Sequence, residues 1–125
     1  MRTTLLSLLI LFSDVELSCG GSFLSPEGVV RAAIAATHQD RLSQFLRCCD
    51  IPAITAHPRH PMALDALAAL MESLNEADVR FEPSSANHDS DRLTVRMFSP
   101  QRLDFDLVGT KQINGVQWRI VAIHP

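Results

Sequence analysis

The spacing of apolar residues in this 125-residue chain changes once, near Asn75, and that change constrains the fold more than any single motif. Upstream the period is helical. Val29, Val30, Ala33 and Ile34 recur on one face, and Leu42, Phe45, Leu46 and Cys49 fall at i, i+3, i+4 and i+7. Leu64, Leu67, Leu70, Met71 and Leu74 form a third such stripe. Downstream the period drops to two. Val79 and Phe81 alternate with Arg80 and Glu82, Leu93, Val95 and Met97 with Thr94 and Arg96, and Leu103, Phe105 and Leu107 with Asp104 and Asp106. Helices first and strands after them predict an α+β fold, with N-terminal helices packed on a curved four-stranded antiparallel sheet.

Local signals set the expected boundaries. Ser25-Pro26-Glu27 reads as a helix start: a capping hydroxyl, a proline whose missing N–H costs nothing in the first turn, and a carboxylate at the positive end of the dipole. This helix is expected over roughly 26–37. Asp40 is placed to cap a second helix that ends at Ile51-Pro52. Pro52, Pro58 and Pro61 predict a stiffened loop without regular structure, and Pro61 a third helix that runs to Asn75. The polar run "SSANHDSD", 84–91, reads as a turn, and Ser99-Pro100 as a strand stop.

Asn114-Gly115 is the strongest hairpin signal, a two-residue type I′ turn. It predicts Ile113 opposite Val116, Lys111 opposite Trp118, Gly109 opposite Ile120 and Leu107 opposite Ala122. One sheet face is then apolar and meets the helices. The outer face holds Asp104, Asp106 and Arg119, together with Val108 opposite Val121 and Ile123 opposite Asp106. Apolar side chains at Val108, Val121 and Ile123 on a wet face point to a partner surface, with a second copy of the chain as the natural partner. Gly109, in mid-strand, is where the sheet is expected to bulge and curl.

The N-terminus reads as an address. Met1-Arg2 supplies a basic end, Leu5 to Phe12 an apolar run, and Ser18, Gly20, Gly21 and Ser22 small residues around a cleavage point, the layout of a secretory signal. Residues 1–21 are therefore expected to be signal peptide and tether, with the folded domain over 24–125 and the protein exported to a periplasm or cell envelope, or secreted. Leu5 to Phe12 is far shorter than the roughly 20 residues that span a bilayer. Ser18-Cys19-Gly20 suits simple cleavage. Cys19 is also a candidate lipid-attachment site, since it is the odd thiol of three and a Gly-Gly-Ser tether follows it, although Glu16 stands where a lipoprotein signal has an apolar residue. Membrane association is expected only through lipid on Cys19.

The net charge of −3, with 20% charged residues and no block of one sign, provides no footprint for a phosphate backbone, which argues against nucleic acid. Phe45, Phe81, Phe105 and Trp118, with Lys111 at the rim, are candidate lining for a small apolar ligand pocket, and equally candidates for plain core. Cys49, His57 and His60 supply thiolate and imidazole donors, but three donors at loose spacing in a proline-rich loop favour solvated histidines over a zinc site or a Cys-His nucleophile. His38 suits the C-terminal end of the first helix. Arg96 is placed to pair with Asp104 or Asp106 across strands. No cofactor is expected.

"SPEGVVRAAIAATHQDRLSQFLRCCD" and "INGVQWRIVAI" resemble the opening helices and the last strand of small exported members of the nuclear transport factor 2-like superfamily, over roughly residues 24–124. The resemblance implies a cone-shaped domain with a curved sheet wrapped over helices, often dimeric through the outer sheet face. The nearest group in character is the lipoprotein-like domains without assigned function. Steroid isomerase members use a Tyr hydroxyl with an Asp base, and this chain contains no Tyr. The resulting expectation is a non-enzymatic ligand-binding or dimerisation module of the cell envelope. The alternative is a small-molecule enzyme of isomerase or dehydratase type using the cone cavity.

Overall fold

The structure, a computed structural model, describes residues 24–83 and 91–125. The expected signal peptide and tether over 1–21, with the candidate lipid site Cys19, and nearly all of the expected 84–91 turn lie outside the described residues.

Helix α1 (Pro26–His38) begins as expected, with the Ser25 hydroxyl accepting the Gly28 amide at 3.0 Å, and it buries Val29, Val30, Ala33, Ile34 and Ala36. Helix α2 (Leu42–Cys48) departs from its predicted stripe. Asp40 adopts a left-handed φ of 54° and lies outside the helix, so Arg41 occupies the N-cap without a side-chain hydrogen bond. Phe45, Cys48 and Cys49 are buried, whereas Leu42 and Leu46 are 68% and 44% exposed. The cause is at the helix end. Cys49 turns extended and bridges to Ile120, and the Asp50 amide donates to the Ile120 carbonyl at 2.8 Å, which sets the side that α2 turns inward.

The proline-rich stretch is not irregular throughout. Asp50 caps a short helix, α3 (Ile51–Thr55), by accepting the Ala53 amide, and Pro52 falls in the first turn, where helices tolerate it. Helix α4 (Leu64–Ser73) starts later than Pro61, buries Leu67 and Met71, and leaves Leu64 exposed. A 3-10 turn at Glu76–Asp78, capped by Asn75, leads into the sheet.

The sheet is an antiparallel meander in the order β1 (Arg80–Phe81), β2 (Arg92–Ser99), β3 (Leu103–Gln112), β4 (Gly115–His124). Helices packed on this curved sheet make an α+β fold, and one hydrophobic cluster joins the two layers, including Ile34, Ile54, Leu67, Met71, Phe105 and Ile120. In β2 and β3 the expected alternation holds, with Val95, Met97, Leu103, Phe105 and Leu107 buried.

The hairpin register differs from the predicted one. Gln112 faces Gly115, so the turn residues are Ile113 and Asn114, and Gly115, at φ 154°, supplies the positive φ. Lys111 therefore faces Val116, Gly109 faces Trp118, Leu107 faces Ile120 and Val108 faces Arg119. The slide preserves faces and exchanges partners. Between Leu107 and Asp106 the register shifts, because Val121 is an extra residue on β4 between the pairs Leu107–Ile120 and Asp106–Ala122. The bulge thus falls in β4 and not at Gly109. Its effect is to bring Ile120 and Ile123, three residues apart, onto the core side.

Candidate functional site

That bulge also corrects the expected partner face. Ile123 is 1% exposed and sits in the core opposite Phe105, so it belongs to no outer surface. Val108 and Val121 are half-buried, and Phe98, on the same outer parity of β2 as Thr94 and Arg96, is 49% exposed. Arg119, opposite Val108, bends to the sheet edge, where its Nη2 donates to the carbonyls of Leu46 (3.0 Å) and Cys49 (3.1 Å) at the end of α2.

The aromatic residues considered as pocket lining take separate roles. Phe105 and Phe45 are core, at 0% and 8% exposure. Phe81 packs on the core edge under the Arg31 guanidinium, 5.0 Å from its ring centre. Trp118 also packs against the core, and it covers Gly109: a Cβ there would lie 3.0 Å from the indole and 2.6 Å from Val116. Lys111 is exposed and faces Val116, not Trp118 as the expected register had it. A separate open depression of about 430 Å³ lies at the ends of α1 and α4, bordered by His38, Glu72, Ser73, Leu74, Asn75 and Glu76. There the His38 Nε2–H donates to the Leu74 carbonyl at 2.6 Å.

Cys49 joins neither histidine in a site. Burial pushes its thiol up to about 12, with Cys48 adding to the shift and Arg119 opposing it. A thiol held protonated is a poor nucleophile.

The titratable side chains that do gather lie at the end of β4. The Asp106 carboxylate accepts the Thr94 hydroxyl at 2.7 Å through one oxygen and the His124 Nε2–H at 3.1 Å through the other. The His60 ring stacks on His124 at 4.3 Å between centres and 15° between planes, and the His57 ring stands 5.6 Å from His60 at 25°. The turn between α3 and α4 delivers His57 and His60. His57 Nδ1 accepts the amides of Arg59 (3.2 Å) and His60 (3.0 Å). Imidazole lone pairs lie in the ring plane, so stacked rings aim them side by side, whereas a tetrahedral ion needs them to converge. Accordingly, no group of three or more His, Cys, Asp or Glu side chains among the described residues is disposed to hold a metal ion. Next to this cluster Arg96 Nε approaches Asp104 at 3.8 Å, the cross-strand pair expected on a wet face.

Sequence reasoning singled out His57, His60 and Asp106 separately but did not bring in His124. The one available signal was its position at a strand end on the same parity as Ala122 and opposite to Ile123, and that parity has meaning only once the bulge is known. Comparison with protein-family models, curated proteins and solved structures finds no match to this chain. No helix among the described residues is long and apolar enough to cross a membrane.

Proposed function

We propose that this chain is an exported domain of the nuclear transport factor 2-like kind, and that it acts as a non-enzymatic binding module by pairing with a second copy through the outer face of its sheet. The observation that carries the reading is the exposed Phe98 on that face, in a sheet that also sets Val108 and Val121 half in the open among Thr94, Arg96 and Arg92. Three strands at about 4.8 Å spacing and about 3.3 Å per residue offer roughly 400 Å² of projected face. A standard stable interface takes about 800 Å² from each partner. Pairing is accordingly weak, and it is measured at about 100 μM, where a micromolar dimer is populated.

Sedimentation equilibrium of the purified chain is expected to give a dimer at that concentration and monomer after Phe98→Asp or Val108→Glu, with far-ultraviolet circular dichroism unchanged. A wild-type chain that stays monomeric rejects the reading. Export is tested separately by the mass of the mature N-terminus in a bacterial host. Acylated Cys19, plain cleavage near Ser18 and retention of Met1 each give a different mass, and retention removes the export reading.

A further inference from the structure

We propose that Asn114 is a self-modifying site: in the folded protein its carboxamide closes on the Gly115 amide and is converted, with water as the only other reactant, to aspartate and isoaspartate. The proposal is independent of self-association. It rests on the setting of the Asn-Gly pair at the hairpin tip and on its contrast with the setting of Asn75.

The side-chain carbonyl carbon has to be free to turn toward the next main-chain nitrogen, and that nitrogen has to be uncrowded. Both conditions hold at the tip. Thr110 to Gly115 are all exposed, and among the described residues no side-chain hydrogen bond engages Asn114. Gly115 carries no Cβ to shield its nitrogen, and it alone takes the positive φ of the turn, 154°. Gln112 and Gly115 are the last pair of the β3–β4 ladder, so fraying of that single pair releases the amide.

Asn75 is exposed as well, so exposure does not separate the two. Its bonding does. The Asn75 Oδ1 accepts the Ala77 amide at 3.0 Å as the cap of the 3-10 turn, and that bond has to break before the carboxamide can turn to Glu76. Glu76 also presents a full side chain beside its own nitrogen. Asn87 lies outside the described residues.

In the first step the Gly115 nitrogen gives its proton to water and bonds to Asn114 Cγ, the bond from Cγ to the carboxamide nitrogen breaks, and ammonia leaves. Holding both groups on adjacent residues makes this ring closure intramolecular, which is where its rate comes from. Water then opens the cyclic imide at either carbonyl. One opening restores the ordinary main chain with a side-chain carboxylate. The other runs the main chain through the former side chain, a methylene longer, and leaves the α-carboxylate free. Either product places a new negative charge near Lys111, and the longer one strains the turn that Gln112 and Gly115 close.

The test is prolonged incubation of the folded full chain at mildly alkaline pH and body temperature, followed by trypsin and mass spectrometry. Cleavage after Lys111 and Arg119 isolates 112–119, and cleavage after Arg59 and Arg80 isolates 60–80, so each asparagine reports from its own peptide. Peptide 112–119 is expected to gain the mass of an NH2-to-OH exchange and to resolve into two products, while 60–80 converts at least about tenfold more slowly. Asn114→Gln, whose side chain would have to close a larger ring, should leave 112–119 unconverted. Incubation in urea removes the Asn75 cap and should narrow the gap between the two peptides. Equal rates for the two peptides in the folded chain overturn the proposal. So does conversion of 112–119 in urea with none in the folded chain, because the closed turn would then be shielding Gly115.

Discussion

Cys49 shows how one buried atom ties stability to pH. Its thiol is raised from 9.0 to about 12 because the folded chain withholds water from the thiolate. A raised folded value means that its contribution is complete below about pH 9, the unfolded value, and is lost as pH climbs toward 12. The unfolded chain ionises first, and stability falls by roughly 1 kcal/mol per pH unit within that window. Urea midpoints at about pH 8 and 10.5 should show this decline, and Cys49→Ala should flatten it. Gly109 is constrained from the opposite direction, by the lack of a Cβ. Val116 Cγ1 would sit 2.6 Å from one, and a β-branched side chain has little freedom to retreat. Gly109→Ala is expected to cost about 1–3 kcal/mol by overpacking. The same urea titration, followed by Trp118 fluorescence, would show it.

At the scale of elements, the two long helices differ in their first turns. α1 has the Ser25 cap, whereas α4 starts from Ala63 with no side-chain hydrogen bond. Ser25→Ala should lower stability and Ala63→Asp should raise it, each by about 1 kcal/mol, as opposite shifts of the thermal midpoint. The Ser25 start was legible because capping is local chemistry. Strand alternation was legible for the same reason: one wet face and one dry face write themselves into Leu93 to Met97 and Leu103 to Leu107. The register was not. Asn114-Gly115 advertised a turn, but the pairing that formed puts Leu107 against Ile120 and then spends Val121 to bring Ile123 inward. A period of two has no place for a three-residue step. α2 misled for a related reason, since its orientation is imposed from outside, by the bond of Asp50 to Ile120.

Across the whole molecule, order should be graded along the β3–β4 hairpin. Leu103 to Gly109 and Trp118 to Ile123 lie over the helical layer, while Thr110 to Gly115 are all exposed and Ile113 is fully so. Hydrogen exchange should find the amides of the inner half protected at least about tenfold more than those of the tip, following local opening without global unfolding. The histidine cluster was the least legible part of the chain because its members meet only after α3, the sheet edge and the bulge have all formed. The sheet edges themselves carry a last consequence. Cys49 and Asp50 occupy the outer side of β4 at Ile120, and at the far margin β1 is two residues long. A fibril grows by docking strand on strand, copy after copy, and needs two open margins per molecule. Cys49 and Asp50 obstruct the β4 margin at its centre, so strand-on-strand growth along that edge is interrupted there.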